Sequence, residues 1–246
     1  MSNQALNNSR FTQEAAAWDS NTKHVESTRK ALEAVQRYVP AFKDGGSKNL
    51  RVLEIGCGTG LLSFMLAPSV QSLVGVDTAE GMISAFRTKL EDLKEPNLCA
   101  INHLLTSADS PELQDAAAKL PGAEGGNAQR FDLVVSHLTL HHIDDLAAVF
   151  KTMYECLKPG GAVALTDYED FGREAIRFHP EKKRPGVEHH GIKRKVAEDL
   201  LTKAGFKEVR VEEAYVLKKK VDDEEGMEKV VGEMAFPFLL LYGVKR

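Results

Sequence analysis

The sequence predicts an α/β protein, a mainly parallel β-sheet wound on both faces by helices. Three observations carry this. Apolar strand-like segments alternate with amphipathic ones from residue 49 to residue 205, and such alternation builds parallel sheets with crossover helices on both faces. Right-handed crossovers then bring the strand C-termini to one edge, where such sheets bind ligands. The last two strand-like segments have no helix between them, so they can pair as a hairpin with an antiparallel strand at or near one edge.

In chain order, residues 1–20 show no clear periodicity. Asp19, Ser20 and Asn21 offer N-cap chemistry for a helix that presents Val25, Leu32, Val35 and Val39 and ends at Pro40. "NLRVLEI" reads as a strand, "GLLSFMLA" as a helix, "SLVGVD" as a strand and "AEGMISAFRTKLEDL" as a helix. "LCAINHLL" is a strand, followed by a helix near 111–119 and a flexible turn, "GAEGGNAQ". "FDLVVSHL" is a strand, "DDLAAVFKTMYECL" a helix, "KPGG" a turn and "AVALTDY" a strand. A loop-rich stretch, 168–192, interrupts the rhythm before the helix "KRKVAEDLLTKAG", which Gly205 closes. Strands near 206–217 and 234–243 finish the chain. A single domain is expected over 1–246, with residues 1–45 as a helical cap and 168–192 as an insertion on the substrate side.

The 246 residues suffice for one α/β core, and the formal charge of -4 gives no general pull toward nucleic acid or anionic membrane. The basic runs 182–184 and 218–220 have acidic neighbours and read as solvated surface. Cys57, Cys99 and Cys156 are widely spaced with no C-x-x-C pair, which favours a reducing compartment. The polar start "MSNQALNNSR" is unlike a signal peptide, and "FPFLLLYGV" is too short to span a bilayer as a helix. A cytoplasmic protein is expected, with no stable membrane insertion and no nucleic-acid partner.

The most informative stretch is "VLEIGCGTG", residues 52–60. A buried strand runs into Gly56, Gly58 and Gly60, where the chain must turn sharply and let backbone approach a ligand. No G-x-x-x-x-G-K-[ST] phosphate loop is present, and Leu61 stands where the dinucleotide fingerprint needs its third glycine. Glu54, just before the turn, would repel a pyrophosphate and suits a ligand with a cationic end. Asp77 ends the next strand, placed to accept both hydroxyls of a ribose. A nucleoside with a positive centre and an amino-acid tail satisfies both carboxylates.

These residues resemble the class I S-adenosylmethionine-dependent methyltransferases, and more narrowly their small-molecule, ubiquinone-biosynthesis-type branch. "VLEIGCGTG" is similar to that family's first motif, "VGVDTAEGMI" to its acidic ribose segment, "FDLVVSHLTLHHI" to its fourth-strand motif and "LKPGGAVALTDY" to its turn into the fifth strand. The resemblance spans roughly residues 11–243. It implies a Rossmann-like seven-stranded sheet with the last strand inserted antiparallel, S-adenosylmethionine as cofactor and S-adenosylhomocysteine as product. It also implies roles by position. Glu54, Gly56, Cys57, Gly58 and Gly60 would hold the methionine end, Asp77 and Thr78 the ribose, and Met82 and Asp109 the adenine. Ser136 and His137 would face the cofactor and a small-molecule methyl acceptor.

Six histidines fall between 137 and 190. Their spacings match no standard zinc pattern, so no metal is expected. His141 and His137 are the candidate general bases, and His142 is expected to point into packing. The acceptor pocket should form outside the core motifs, from a lid anchored by Phe11 and Trp18 and from the insertion carrying Tyr168, Phe171, Phe178 and His179. Trp18 would also cover the cofactor. The acceptor atom stays open between oxygen, sulfur, nitrogen and carbon. A protein methyltransferase and a non-catalytic cofactor-binding regulatory subunit stay open as alternatives.

Overall fold

The computed structural model describes the chain except for residues 1, 124, 126, 127, 224–226 and 228, so the glycine-rich turn 122–129 lies partly outside the described residues. Seven strands form one sheet: β1 (Arg51–Ile55), β2 (Ser72–Asp77), β3 (Leu98–Asn102), β4 (Phe131–His137), β5 (Leu157–Tyr168), β6 (Lys207–Lys219) and β7 (Met234–Val244). Their order is β3-β2-β1-β4-β5-β7-β6. Strands β1 to β5 pair in parallel, and β7 runs antiparallel between β5 and β6. The C-terminal hairpin therefore joins the sheet by its second strand, leaving β6 at the edge.

The helices are α1 (Asn3–Trp18), α2 (Thr22–Tyr38), α3 (Leu61–Leu66), α4 (Glu80–Leu93), α5 (Pro111–Ala118), α6 (Leu146–Cys156) and α7 (Arg194–Ala204). Alternate residues of each central strand serve opposite faces. Leu53, Ile55 and Val134 join one core with Leu113 of α5, Phe150 of α6 and Leu201 of α7. Val52, Leu133 and Val135 join the other with Val35 of α2, Leu66 of α3 and Phe86 of α4. Burial on both faces explains why these strands read as continuous apolar runs.

Two local features depart from the sequence reading. The first twenty residues contain helix α1, capped by Ser2. Its inner stripe is Asn7, Phe11, Ala15 and Trp18, spaced for one helical face, but it opens on an amide and carries little apolar signal. Buried Asn7 is satisfied by the Gly186 carbonyl, 2.8 Å away. Second, "KPGG" lies within β5 as an irregularity. The register jumps from Phe131 opposite Leu157 to Leu133 opposite Ala162. Asn21 caps α2 through Lys23 N–H, and Gly205 closes α7 at φ 108°, both as expected.

Chain direction across the sheet reverses at β1, with β2 on one side and β4 on the other. The C-terminal ends of β1 and β4 therefore border the crevice where open α/β sheets place ligands.

Candidate active site

The turn after β1 is anchored by Gly56 and Cys57, whose N–H groups donate to the Val76 carbonyl at 2.8 and 3.1 Å. Gly56, Gly58 and Gly60 all have positive φ, but they do different work. A Cβ on Gly56 would collide with the Thr139 side chain, and one on Gly60 would come within 2.6 Å of the Phe86 ring. These two glycines let the turn pack against β4 and α4. A Cβ on Gly58 would meet only the Met82 sulfur, 3.9 Å away, so its backbone is the part of the turn left open.

Two carboxylates flank the turn. Asp77 Oδ2 accepts from Gly58 N–H and Oδ1 from Ala79 N–H, each at 2.8 Å. Burial pushes its pKa up, opposed by these backbone donors. A carboxylate has about four acceptor sites, so the backbone donors leave capacity for a ligand. Glu54 is 2% exposed and accepts a hydrogen bond from Ser63 Oγ. Burial raises its pKa to about 8, against the Ser63 hydrogen bond. A carboxyl this poorly neutralised, on a cavity wall, fits a cationic ligand group.

A cavity of about 540 Å³ begins at these residues. Helix α1 roofs it. Thr78 Oγ1 donates to Asn8 Oδ1 at 2.8 Å and accepts from Gln4 Nε2 at 3.0 Å. Phe11 and Trp18, edge to face at 5.7 Å, pack with Met82. Asp19, just past α1, accepts from Thr59 Oγ1 at 2.5 Å and pairs with Lys89 at 2.6 Å. The roof is thus latched to the glycine turn and to α4.

The far end of the cavity is lined by His137, His141, His142 and His179. His141 is 1% exposed. Its Nδ1 lies 2.8 Å from Asp167 Oδ1, and Asp167 Oδ2 also accepts the His141 backbone N–H at 3.1 Å. Nε2 of His141 is buried with no hydrogen-bond partner. His142 Nδ1 reaches the Gly186 carbonyl at 3.2 Å, and its ring meets Phe11 edge-on at 5.2 Å. His142 therefore faces the cavity, where packing had been expected, because α1 supplies the aromatic surface it contacts.

His137 does not suit the role of general base. Nδ1 lies 2.9 Å from Thr166 Oγ1 and Nε2 3.1 Å from Ser27 Oγ, so both ring nitrogens are engaged by protein. Burial pushes its pKa down to about 4. Asp109 is also displaced from its expected place. Its carboxylate is 70% exposed and pairs with Arg130 at 2.7 Å. The chain leaving β3 meets the cavity earlier, through His103, Leu104, Leu105 and Thr106. Ser136 is buried and donates to the Ile55 carbonyl at 2.7 Å, and it holds the strand ends without lining the cavity. Gly60 likewise supports the turn from behind.

Of the insertion, Phe178 and His179 reach the cavity. Tyr168 is fully buried and stacks on Phe178 at 4.1 Å, while Phe171 is 39% exposed beside Phe236. Lys183 and Lys219, expected to be solvated, line the cavity. Burial lowers Lys219 to about 8, and its Nζ donates to the Phe178 carbonyl at 2.6 Å. The sequence reading missed Asp167, although its signal was present. An acid ending an apolar strand had singled out Asp77, and "ALTD" repeats that pattern.

The methyltransferase-domain family matches residues 22–210. The chain belongs to the class I S-adenosylmethionine-dependent methyltransferases. It is 30% identical over 182 residues to phosphoethanolamine N-methyltransferase 3 of Arabidopsis thaliana, covering 71% of this chain and 33% of that protein. A ubiquinone biosynthesis O-methyltransferase of Pseudomonas aeruginosa is 31% identical over 121 residues, 49% of this chain and 45% of that one. The chain thus spans half or less of the length of these curated relatives. The fold is shared with magnesium protoporphyrin IX methyltransferase of Synechocystis, solved with bound S-adenosylhomocysteine. That match has a TM-score of 0.60 at 18% identity, covering 92% of this chain and 84% of that one. Among the described residues of this methyltransferase, no helix is long and apolar enough to cross a membrane.

Proposed function

We propose that this methyltransferase acts on a small molecule bound at the histidine end of its cavity, with S-adenosylmethionine held at the glycine end. The observation that carries this reading is the continuity of one cavity from Glu54 and Asp77 to His141, His142 and His179. Glu54 and the turn at Gly56, Cys57 and Gly58 bind the amino-acid tail. Asp77 and Thr78 take the ribose, and Met82, Trp18 and Leu105 enclose the base. When bound, the cofactor supplies an activated methyl group on a sulfonium sulfur. The chain's own task is alignment and exclusion of water. The α1 roof serves the second, and the walls from β4 and from residues 168–192 serve the first.

Residues 1–45 act as a cap on a single domain, and 168–192 as the acceptor-side insertion. This enclosure favours a small acceptor over a protein side chain. The phosphoethanolamine and ubiquinone-pathway relatives, whose named substrates are small, support the same class. The acceptor offers an oxygen, sulfur, nitrogen or carbon nucleophile, and His141, oriented by Asp167, presents an open Nε2 lone pair for its activation. The cytoplasm is the expected setting. The test is calorimetric titration with S-adenosylmethionine and S-adenosylhomocysteine, then labelled methyl transfer to thiols, phenols, quinols and amines. We expect both cofactor forms to bind and one acceptor class to be methylated. A folded chain that binds neither form would refute the reading.

A further inference from the structure

We infer that His141, His142 and His179 form a site for one divalent transition-metal ion, with an open coordination position facing the acceptor. The inference rests on the proposed function above, whose acceptor pocket it specifies. One ring nitrogen from each histidine lies within 4.8 Å of the others. The ring centroids of His141 stand 4.0 Å from those of His142 and 5.0 Å from those of His179. The sequence reading set the metal aside because the histidine spacings match no standard zinc pattern, and spacing does not report three ligands brought together from separate segments or the groups that orient them. The fold supplies both.

The orienting groups are the stronger part of the argument. Ligating histidines are typically fixed by a hydrogen bond from the other ring nitrogen to a carboxylate, carbonyl or similar acceptor. All three rings fit this pattern. His141 Nδ1 is held by the Asp167 carboxylate, and His142 Nδ1 by the Gly186 carbonyl. His179 Nδ1 lies 3.5 Å from Tyr168 Oη, whose own proton goes to the His189 carbonyl at 3.2 Å. Tyr168 Oη thus accepts from His179. Each Nδ1 then carries the proton, and each Nε2 keeps its lone pair.

The second independent sign is the buried Nε2 of His141, which has no protein partner. An orphaned polar atom in a nearly closed site asks for an occupant. Three imidazoles with a free fourth position suit Zn²⁺, at metal–nitrogen distances of about 2.0–2.1 Å. Small side-chain rotations would draw the nitrogens together. Buried Asp167 behind His141 provides countercharge. In this arrangement the Nε2 lone pair of His141 acts on the acceptor through the ion and does not take its proton directly: the acceptor's heteroatom binds the ion and gives up its proton to solvent as it enters, leaving a metal-bound nucleophile facing the cofactor end.

The experiment uses the full chain, stripped with a chelator and titrated with Zn²⁺ by calorimetry and with Co²⁺ by visible absorption. We expect one equivalent of metal, ligand-field bands typical of four-coordinate Co²⁺, and a raised melting temperature with Zn²⁺. His179→Ala and the bulkier His179→Gln should each lose the stoichiometric site while still binding S-adenosylmethionine, which reports that they fold. Asp167→Asn should weaken metal binding by roughly 10–100-fold. Binding that is absent, or unchanged in both His179 variants, would overturn the site. Methyl transfer that survives complete metal removal would overturn its assignment to acceptor activation. Either result leaves the proposed function standing, because cofactor binding and turnover are measured separately.

Discussion

The two ends of the cavity are built in opposite ways. The glycine end comes from one contiguous run, Glu54 to Gly60, and the acid that closes the following strand. Its parts are adjacent in sequence because a strand, a tight turn and a helix N-terminus are a local unit. The histidine end comes from residues near 140, 167 and 179, joined only when β5 pairs with β4 and the insertion folds back over α1. Even its hydrogen-bond acceptors, at Gly186 and His189, lie in the loop-rich segment. Local units leave motifs, whereas assembled surfaces leave only residue types. On the proposed function, cofactor recognition would lie in this local frame and acceptor chemistry on segments outside it.

This contrast predicts that the two ends can be damaged separately. The largest effect is expected from His141→Ala. With its open Nε2 removed, turnover should fall by roughly 10²–10⁴-fold if that atom takes the acceptor's proton itself, and at least as far if it holds the ion that activates the acceptor. S-adenosylmethionine affinity should stay within a few-fold of wild type. Steady-state kinetics beside calorimetry checks both. A variant that loses cofactor affinity and turnover together would show that the two ends are one cooperative unit.

The reciprocal variant, Asp77→Ala, should act on the other end. Hydrogen bonds to a charged group contribute roughly 1.5–3 kcal/mol, so cofactor affinity should weaken by about tenfold or more. Single-turnover rates at saturating cofactor should change much less. Asp77 also accepts the Gly58 and Ala79 N–H groups, so part of the loss would come from a loosened turn. Asp77→Asn, which keeps an acceptor oxygen, should recover part of the affinity. No change in affinity in a folded Asp77→Ala would remove the acid from the site.

How much was legible beforehand follows the same division. The alternating strands and helices and the C-terminal hairpin could be read because apolar runs and turns are local signals, whereas the seven-stranded sheet with its inserted antiparallel strand came from the family resemblance. Glu54, Asp77, Met82 and Thr78, which the motifs singled out, all line one cavity. Asp109 was misplaced because the chain leaving β3 meets the cavity at His103 to Thr106, and by Asp109 it has reached the surface, where the carboxylate pairs with Arg130. A helical cap was expected over residues 1–45, but no periodicity marked α1 itself, because it buries one asparagine and small or amphipathic residues, a face that only tertiary contact makes visible. His142 was expected in packing because its contact with Phe11 of α1 depends on that same face.

The smallest effect tests whether Glu54 is tuned for a cationic ligand. In the folded chain its pKa is raised from the ordinary value of 4.5 to about 8, chiefly by burial. Between those values the folded state binds a proton that the unfolded state has released. Stability therefore falls as pH rises across this window and levels off above about 8. Glu54's contribution is fully present below about 4.5 and lost once pH passes the folded pKa. Glu54→Gln removes the titration and should flatten this part of the pH dependence in ligand-free protein. The difference between the two proteins isolates Glu54 from every other titrating group. Bound S-adenosylmethionine should reverse the trend, because its ammonium stabilises the carboxylate and lowers that pKa. Urea midpoints from pH 5 to 9, for both proteins with and without cofactor, give the four curves. Parallel ligand-free curves for wild type and Glu54→Gln would mean that Glu54 titrates alike in the folded and unfolded chain, so that it is already ionised across this range and is not tuned by burial for a cationic ligand.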